Sequence, residues 1–151
     1  MRFLVIEDDP KTVKDISFYL GVRFPESTIS SSGEGINGIK RAGDEYPDLV
    51  IVDSSLPDID HIEFIKRLRQ FSAVPLLVLS DMESDVDLAR DLEAGADDYV
   101  LKPLNPIEFL SRIGALMRRT SGFGFYPQNK VFINDQVTID FNSREVFLSG
   151  K

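Results

Sequence analysis

The chain has 151 residues, 42% of them hydrophobic, no cysteine and a formal net charge of −8. That length supports one domain with a real core plus a small appendage, and the missing cysteines exclude a disulfide framework or a thiolate metal site. The acidic excess lies wholly in residues 1–119, because Lys130, Arg144 and Lys151 balance Asp135, Asp140 and Glu145 beyond them; the body of the chain is therefore a poor nucleic-acid surface.

In chain order, Phe3 to Ile6 is the first apolar run, followed at once by Glu7, Asp8, Asp9 and a helix-opening Pro10. That turn to acidic residues comes too soon for the pattern of a signal peptide, and no later run is long enough to span a membrane, so a soluble, cytoplasmic protein is expected. Val13, Ile16 and Leu20 keep helical spacing. STIS (27–30) is a weak second strand. LVIV (49–52) is a third run and ends in Asp53. Ile62, Ile65 and Leu68 form another helical stripe. LLVL (76–79) ends in Ser80, and a less regular helix over 84–94 offers Leu88 and Leu92, with Gly95 as its C-cap. YVL (99–101) ends in Lys102-Pro103. The last helix starts near Pro106 and carries Phe109, Ile113, Leu116 and Met117.

Five βα units in succession predict an α/β fold, a five-stranded parallel sheet of flavodoxin-like order 2-1-3-4-5 with helices on both faces. Runs that are apolar throughout suit strands covered on both sides. After Arg119 the pattern breaks. TSGFGFYPQNK (120–130) reads as a linker. VFINDQVTIDFNSREVFLSGK (131–151) reads as a short antiparallel β-meander with turns at Asn134-Asp135 and Asn142-Ser143. Its apolar residues have no helix to cover them, so it is expected to pack on the main domain or pair with another chain.

In a parallel sheet the strand ends share one edge, so Glu7, Asp8, Asp9, Asp53, Ser80 and Lys102 converge. Clustered carboxylates favour a hard divalent cation, and Mg²⁺ takes one or two carboxylates together with waters and phosphate oxygens. A carboxylate such as Asp53 can act as a nucleophile toward phosphorus. Phosphoryl transfer then needs mainly positioning and charge neutralisation, which Lys102, a metal and the Ser80 hydroxyl would supply. Taken singly, each residue has a plainer explanation: a strand-ending Asp as turn or cap, Glu-Asp-Asp-Pro as a helix N-terminus, Ser80 as a cap, Lys-Pro as a loop. It is the four strand ends together that select the chemistry.

VIEDDP, VDSSLPD, VLS and ADDYVLKP resemble, in order, the receiver domain of two-component response regulators over about residues 1–119. The tail is similar to the opening strands of the winged-helix effector of the OmpR/PhoB subfamily. The resemblance implies domains at 1–119 (receiver), 120–130 (linker) and 131–151 (start of a winged helix, strands only). It implies Asp53 as phosphoacceptor, with Asp8 binding Mg²⁺ directly, Glu7 acting through water, and Asp9 as a third, less essential acid. The Ser55 backbone carbonyl would complete the metal site. Ser80 would be the switch hydroxyl and Tyr99 the aromatic switch, and Lys102 would pair with the phosphoryl group and precede a cis bond to Pro103.

Partners implied are a sensor histidine kinase and a second copy, joined through the fourth helix, fifth strand and fifth helix. Asp98 with Arg112 and Asp97 with Arg119 would pair across that face; Glu108 would face Leu88 where the subfamily has a basic residue. In the isolated subunit these are expected to be solvated surface charges. Such a protein is a phosphoacceptor switch that catalyses only its own Mg²⁺-dependent phosphorylation and dephosphorylation. In the parent architecture it controls transcription. The tail stops before a recognition helix, so this segment is not expected to bind DNA itself, nor a membrane; a stand-alone receiver acting by protein contact is the alternative output.

Three departures from the family pattern stand out. Ser55 replaces an apolar residue at the mouth of the site. His61 replaces a glycine and reads as a loop or helix-start residue. Asp81 replaces an alanine and reads equally as an added acid near the site or a helix N-cap. Two rival functions fit less well. A phosphatase of the haloacid dehalogenase type needs a second Asp at position 55. A flavodoxin-like nucleotide or FMN module needs a Gly-rich phosphate loop where this chain has Glu7-Asp8-Asp9-Pro10.

Overall fold

Strands rich in β-branched and aliphatic residues fill the middle of the molecule. β1 (Arg2–Ile6), β3 (Leu49–Asp53) and β4 (Leu76–Ser80) are each buried almost from end to end. The computed structural model describes residues 1–81, 84–121, 130–134, 137–140 and 145–148, with the backbone alone from residue 120 onward. With β2 (Thr28–Ser32) and β5 (Asp98–Leu101), these strands form a five-stranded parallel sheet in the order β2-β1-β3-β4-β5, as expected. β2, sequence TISSS, is mostly exposed or half-buried, which is why its signal was weak: an edge strand need not be apolar on both faces.

Alternate residues of each strand feed two separate cores. Phe3, Val5, Ile51, Leu77, Leu79 and Val100 pack with Ile16 and Leu20 of α1 (Pro10–Arg23) and with Phe109, Ile113 and Leu116 of α5 (Pro106–Ser121). Leu4, Ile6, Val50, Val52 and Val78 pack on the other face with Ala42 of α2 (Gly35–Glu45) and Phe64, Ile65 and Leu68 of α3 (His61–Arg69). Both cores are anchored by fully buried rings, Phe3 and Phe109 on one side and Phe64 on the other.

α4 (Asp85–Ala94) departs from the expectation that Leu88 and Leu92 supply its core face. Leu92 is 43% exposed, and the one buried residue of the helix is Asp91. Its N-cap is Ser84, not Asp81, which lies exposed before the helix. Gly95 does end it, with a φ of +126° that only glycine adopts without strain. α5 continues past Arg119 to Ser121, so the helix enters the segment read as linker.

Farther on, β6 (Lys130–Asn134), β7 (Val137–Asp140) and β8 (Glu145–Leu148) pair antiparallel in the order β6-β7-β8, the connectivity of a meander, and the backbone of β6 approaches α1. The turn residues Asp135, Asn142 and Ser143 and the side-chain packing of these strands lie outside the described residues.

The loop after β3 is fixed by a cap that acts across the chain. Glu34, the N-cap residue of α2, offers no side-chain bond; instead Asp58 accepts from Gly35 N at 2.8 Å and Ile36 N at 3.0 Å. The bond from Ile36 N, with that from Gly35 N, outweighs slight desolvation and holds the Asp58 carboxyl below its ordinary pKa. A methyl group at Gly35 would collide with Ile59 and Leu56, so the close approach of loop and helix requires glycine there. Asp58→Ala is expected to cost about 1 kcal/mol, the usual value of a lost helix N-cap, in urea unfolding followed by circular dichroism. The Asp58 contribution is present above the ordinary Asp pKa and declines as pH falls through its lowered value.

Candidate functional site

The carboxyl ends of β1, β3, β4 and β5 meet on one edge. β1 leads into Glu7 and Asp8, β3 ends in Asp53, β4 ends in Ser80, and β5 is followed by Lys102. The register aligns them: Asp53 lies opposite Leu79, Ser54 N donates to Leu79 O at 2.8 Å, and Lys102 N donates to Ser80 O at 2.8 Å. Parallel pairing thus gathers groups separated by up to 95 residues, the span from Glu7 to Lys102.

Lys102 is the electrostatic centre. Its Nζ donates to Glu7 Oε2 at 2.9 Å and lies 2.7 Å from Asp53 Oδ1. Burial alone would lower its pKa, but the bonds and charges of Asp53 and Glu7 outweigh that and raise it. The Lys102-Pro103 peptide is cis. Glu7 is only 3% exposed; burial raises its pKa, helped by the charge of Asp53, against the lowering effect of bonds from Asp9 N and Lys102.

Asp53, 2% exposed, accepts from Ser55 N at 3.3 Å on Oδ2. Its Oδ1 faces the Lys102 ammonium at 2.7 Å. Carboxylate oxygens of Glu7, Asp8 and Asp53 lie within 4.8 Å of one another. An acidic triad of this size, three carboxylates converging on one point, fits a hard divalent cation. Asp9 is not part of the triad. It caps α1, accepting from Thr12 Oγ1 at 2.7 Å and from Lys11 N at 3.3 Å, and these bonds, the Thr12 hydroxyl first, lower its pKa.

Ser80 is buried at the strand end, and Tyr99 is half-buried beside the second core with the Arg112 guanidinium 5.9 Å from its ring centre. Ser55 is exposed at the mouth. His61 opens α3, as its reading as a helix-start residue expected, and its ring contacts Asp91.

The charges expected on a dimer face are not merely solvated in the single chain. Arg112 pairs with Asp98 at 3.1 Å and with Glu108 at 3.2 Å. Asp97 Oδ2 accepts from Arg69 at 2.9 Å and from Leu76 N at 2.8 Å, and Arg119 is exposed. Arg69 was not singled out from the sequence. It also donates to Gly95 O at 2.9 Å and Val74 O at 2.6 Å, tying α3 to the turn before β5. A lone Arg at a helix end carries no signal of such partners.

Comparison with known proteins decides the family. Residues 3–114 match the response regulator receiver domain. The chain belongs to the response regulator receiver family. It is 35% identical over 147 residues to the transcriptional regulatory protein KdpE of Mycobacterium tuberculosis, covering 97% of this chain and 64% of that protein. It is 34% identical over 151 residues to the DNA-binding response regulator MtrA of Mycolicibacterium smegmatis, covering 99% and 63%. The chain thus spans a little under two thirds of these relatives, which belong to the OmpR/PhoB group. The BeF3-activated receiver domain of Klebsiella pneumoniae RstA superposes with a TM-score of 0.72 at 30% identity, over 78% of this chain and 99% of that one. A two-component response regulator from Clostridium difficile shares the fold at a TM-score of 0.74 and 23% identity, over 79% and 97%. No described helix is long and apolar enough to cross a membrane.

Proposed function

We propose that this receiver accepts a phosphoryl group on Asp53 from the phosphohistidine of a sensor kinase. The observation that carries the reading is the Asp53 carboxylate itself: buried at the end of the central strand, 2.7 Å from Lys102 and within the triad with Glu7 and Asp8. A carboxylate oxygen of Asp53 attacks phosphorus; the new P–O bond forms as the donor P–N bond breaks, and the electron pair leaves on the imidazole. No general base is required, because the nucleophile is already ionised.

Lys102 would neutralise charge on the phosphoryl oxygens, and the Ser80 hydroxyl would donate to one of them. Asp8 and Asp53, the Ser55 carbonyl, and Glu7 through water would hold Mg²⁺, whose contribution when bound is further neutralisation of phosphate charge. The arrival of two negative charges beside Ser80 then biases a two-state domain. Tyr99 follows Ser80, and the face built from α4, β5 and α5 pairs two copies. The KdpE and MtrA relatives are named as transcriptional or DNA-binding regulators, and we take control of transcription through an effector domain as the output of the longer protein.

Incubation with a small phosphoryl donor and Mg²⁺ tests this reading by intact mass. One phosphoryl group should be gained, and chelation of the metal should prevent it. A chain whose mass is unchanged with donor and metal present contradicts it. Mg²⁺ should also raise the melting temperature by mass action, since it binds only the folded triad. Asp8→Ala should remove that response; an Asp8→Ala protein as responsive as the parent places the metal elsewhere.

A further inference from the structure

α4 is attached to the rest of the domain in an unusual way. Helices normally dock by an apolar stripe, yet here Val86 is 68% exposed, Leu92 is 43% exposed and Leu88 is only half-buried. The buried residue is a carboxylate, Asp91, at 4% exposure. Its partner is His61, whose Nε2 lies 2.7 Å from Asp91 Oδ1.

With Asp91 as acceptor, Nε2 carries the hydrogen of this bond, in either charge state of the ring. The other ring nitrogen, Nδ1, faces Asp60 Oδ1 at 3.8 Å. His61 stands on firm ground: it is the first residue of α3, which is anchored by the fully buried Phe64, Ile65 and Leu68. Asp91 stands on a helix without such an anchor. Near its C-terminal end, Ala94 alone among α4 residues packs on the core of that face.

The pair also borders the candidate site. His61 and Asp91 line a cavity of about 300 Å³ whose walls include Ser54 and Ser55, directly after Asp53, and Ser80. Asp60, Asp81, Asp87 and Arg90 add charged groups to its lining. A displacement of α4 away from α3 therefore opens the wall beside Ser80.

We propose that the His61–Asp91 hydrogen bond is a latch that fixes α4 against α3 and restrains the site beside Ser80. Releasing it frees α4 without disturbing the two cores and quickens phosphoryl uptake. The latch stands on the contact geometry; its effect on uptake rests on the proposed role of Asp53.

Hydrogen exchange of the full chain, followed by mass spectrometry, tests the latch directly. In His61→Ala and in Asp91→Ala, peptides from residues 85–94 should exchange roughly tenfold faster, the effect of one charge-assisted hydrogen bond on local opening. Peptides from β3 and β4 should be unchanged, and the double variant should exchange no faster than the singles. Unchanged exchange over 85–94 in His61→Ala, or additive effects in the double variant, overturns the latch. His61→Asn, which keeps a side-chain donor, should recover part of the protection.

With acetyl phosphate and Mg²⁺, His61→Ala should take up phosphoryl several-fold faster than the parent. A loosened α4 with an unaltered uptake rate overturns the coupling to the site. Absence of uptake in the parent itself overturns the Asp53 reading instead, and exchange over 85–94 still decides the latch.

Discussion

Asp53→Asn is expected to abolish phosphoryl uptake completely while the domain stays folded. The amide keeps the shape of the carboxylate and can still accept from Ser55 N, but it is not a nucleophile at neutral pH. Two effects on stability oppose each other. The ion pair with Lys102 is lost, and so is the repulsion that Asp53 exerts on Glu7, one cause of the raised Glu7 pKa. They offset to within the ordinary scatter of a point substitution, about 1 kcal/mol. Mass spectrometry after donor treatment and a thermal melt check both halves; an Asn variant that still gains a phosphoryl group contradicts the assignment of Asp53.

Lys102→Ala should impair both chemistry and stability. Two carboxylates that are 3% and 2% exposed would face each other with no cation between them. Removing one partner of a buried pair costs about 3 kcal/mol where, as here, the lysine retains some solvent contact. The deficit should depend on pH. Folded Glu7, with its pKa raised chiefly by burial, binds a proton that the unfolded chain releases, so its contribution to stability falls as pH rises from the ordinary carboxylate value through the raised one.

Without Lys102, which lowers it, Glu7 moves further up and that falling window widens. The lysine, with its raised pKa, contributes fully below its ordinary value and loses its effect only as pH climbs through the raised one. Urea unfolding without metal should therefore show a small deficit for Lys102→Ala near pH 5 and a larger one near pH 8. An equal deficit at both values would mean that Lys102 acts through packing alone. Phosphoryl uptake should fall by at least tenfold, in line with the loss of one preorganised charge at a transition state.

The sheet was legible in the sequence because four of its strands are apolar on both faces, and a parallel sheet under helices demands that pattern. The site was legible for a related reason: when strands are parallel, their carboxyl ends share an edge, so the residue after each apolar run is a candidate. Glu7, Asp53, Ser80 and Lys102 follow from that rule alone. The misreadings have a common physical origin. Leu88 and Leu92 suggested an apolar face for α4, but the helix is held by Asp91 through a histidine 30 residues away. A cap was one of two readings of Asp81, yet Ser84 begins the helix, while α2 is capped by Asp58 from the far side of the loop. Arg69 reaches Asp97 across 28 residues. Polar contacts of this kind leave no periodicity, because each depends on one pair of residues brought together only by the finished fold. The family pattern marked His61 as a departure without indicating that its partner would be Asp91.

The chemistry at Asp53 can be read from the covalent product. Borohydride reduces an acyl phosphate to an alcohol with release of phosphate, so a phosphorylated aspartate becomes homoserine and unmodified carboxylates are untouched. Donor-treated protein, reduced and mapped by peptide mass spectrometry, should show that conversion at Asp53 alone, and only when Mg²⁺ was present during labelling. Conversion at Asp8, Asp9 or Glu7, or phosphate retained on a serine after reduction, would contradict the account.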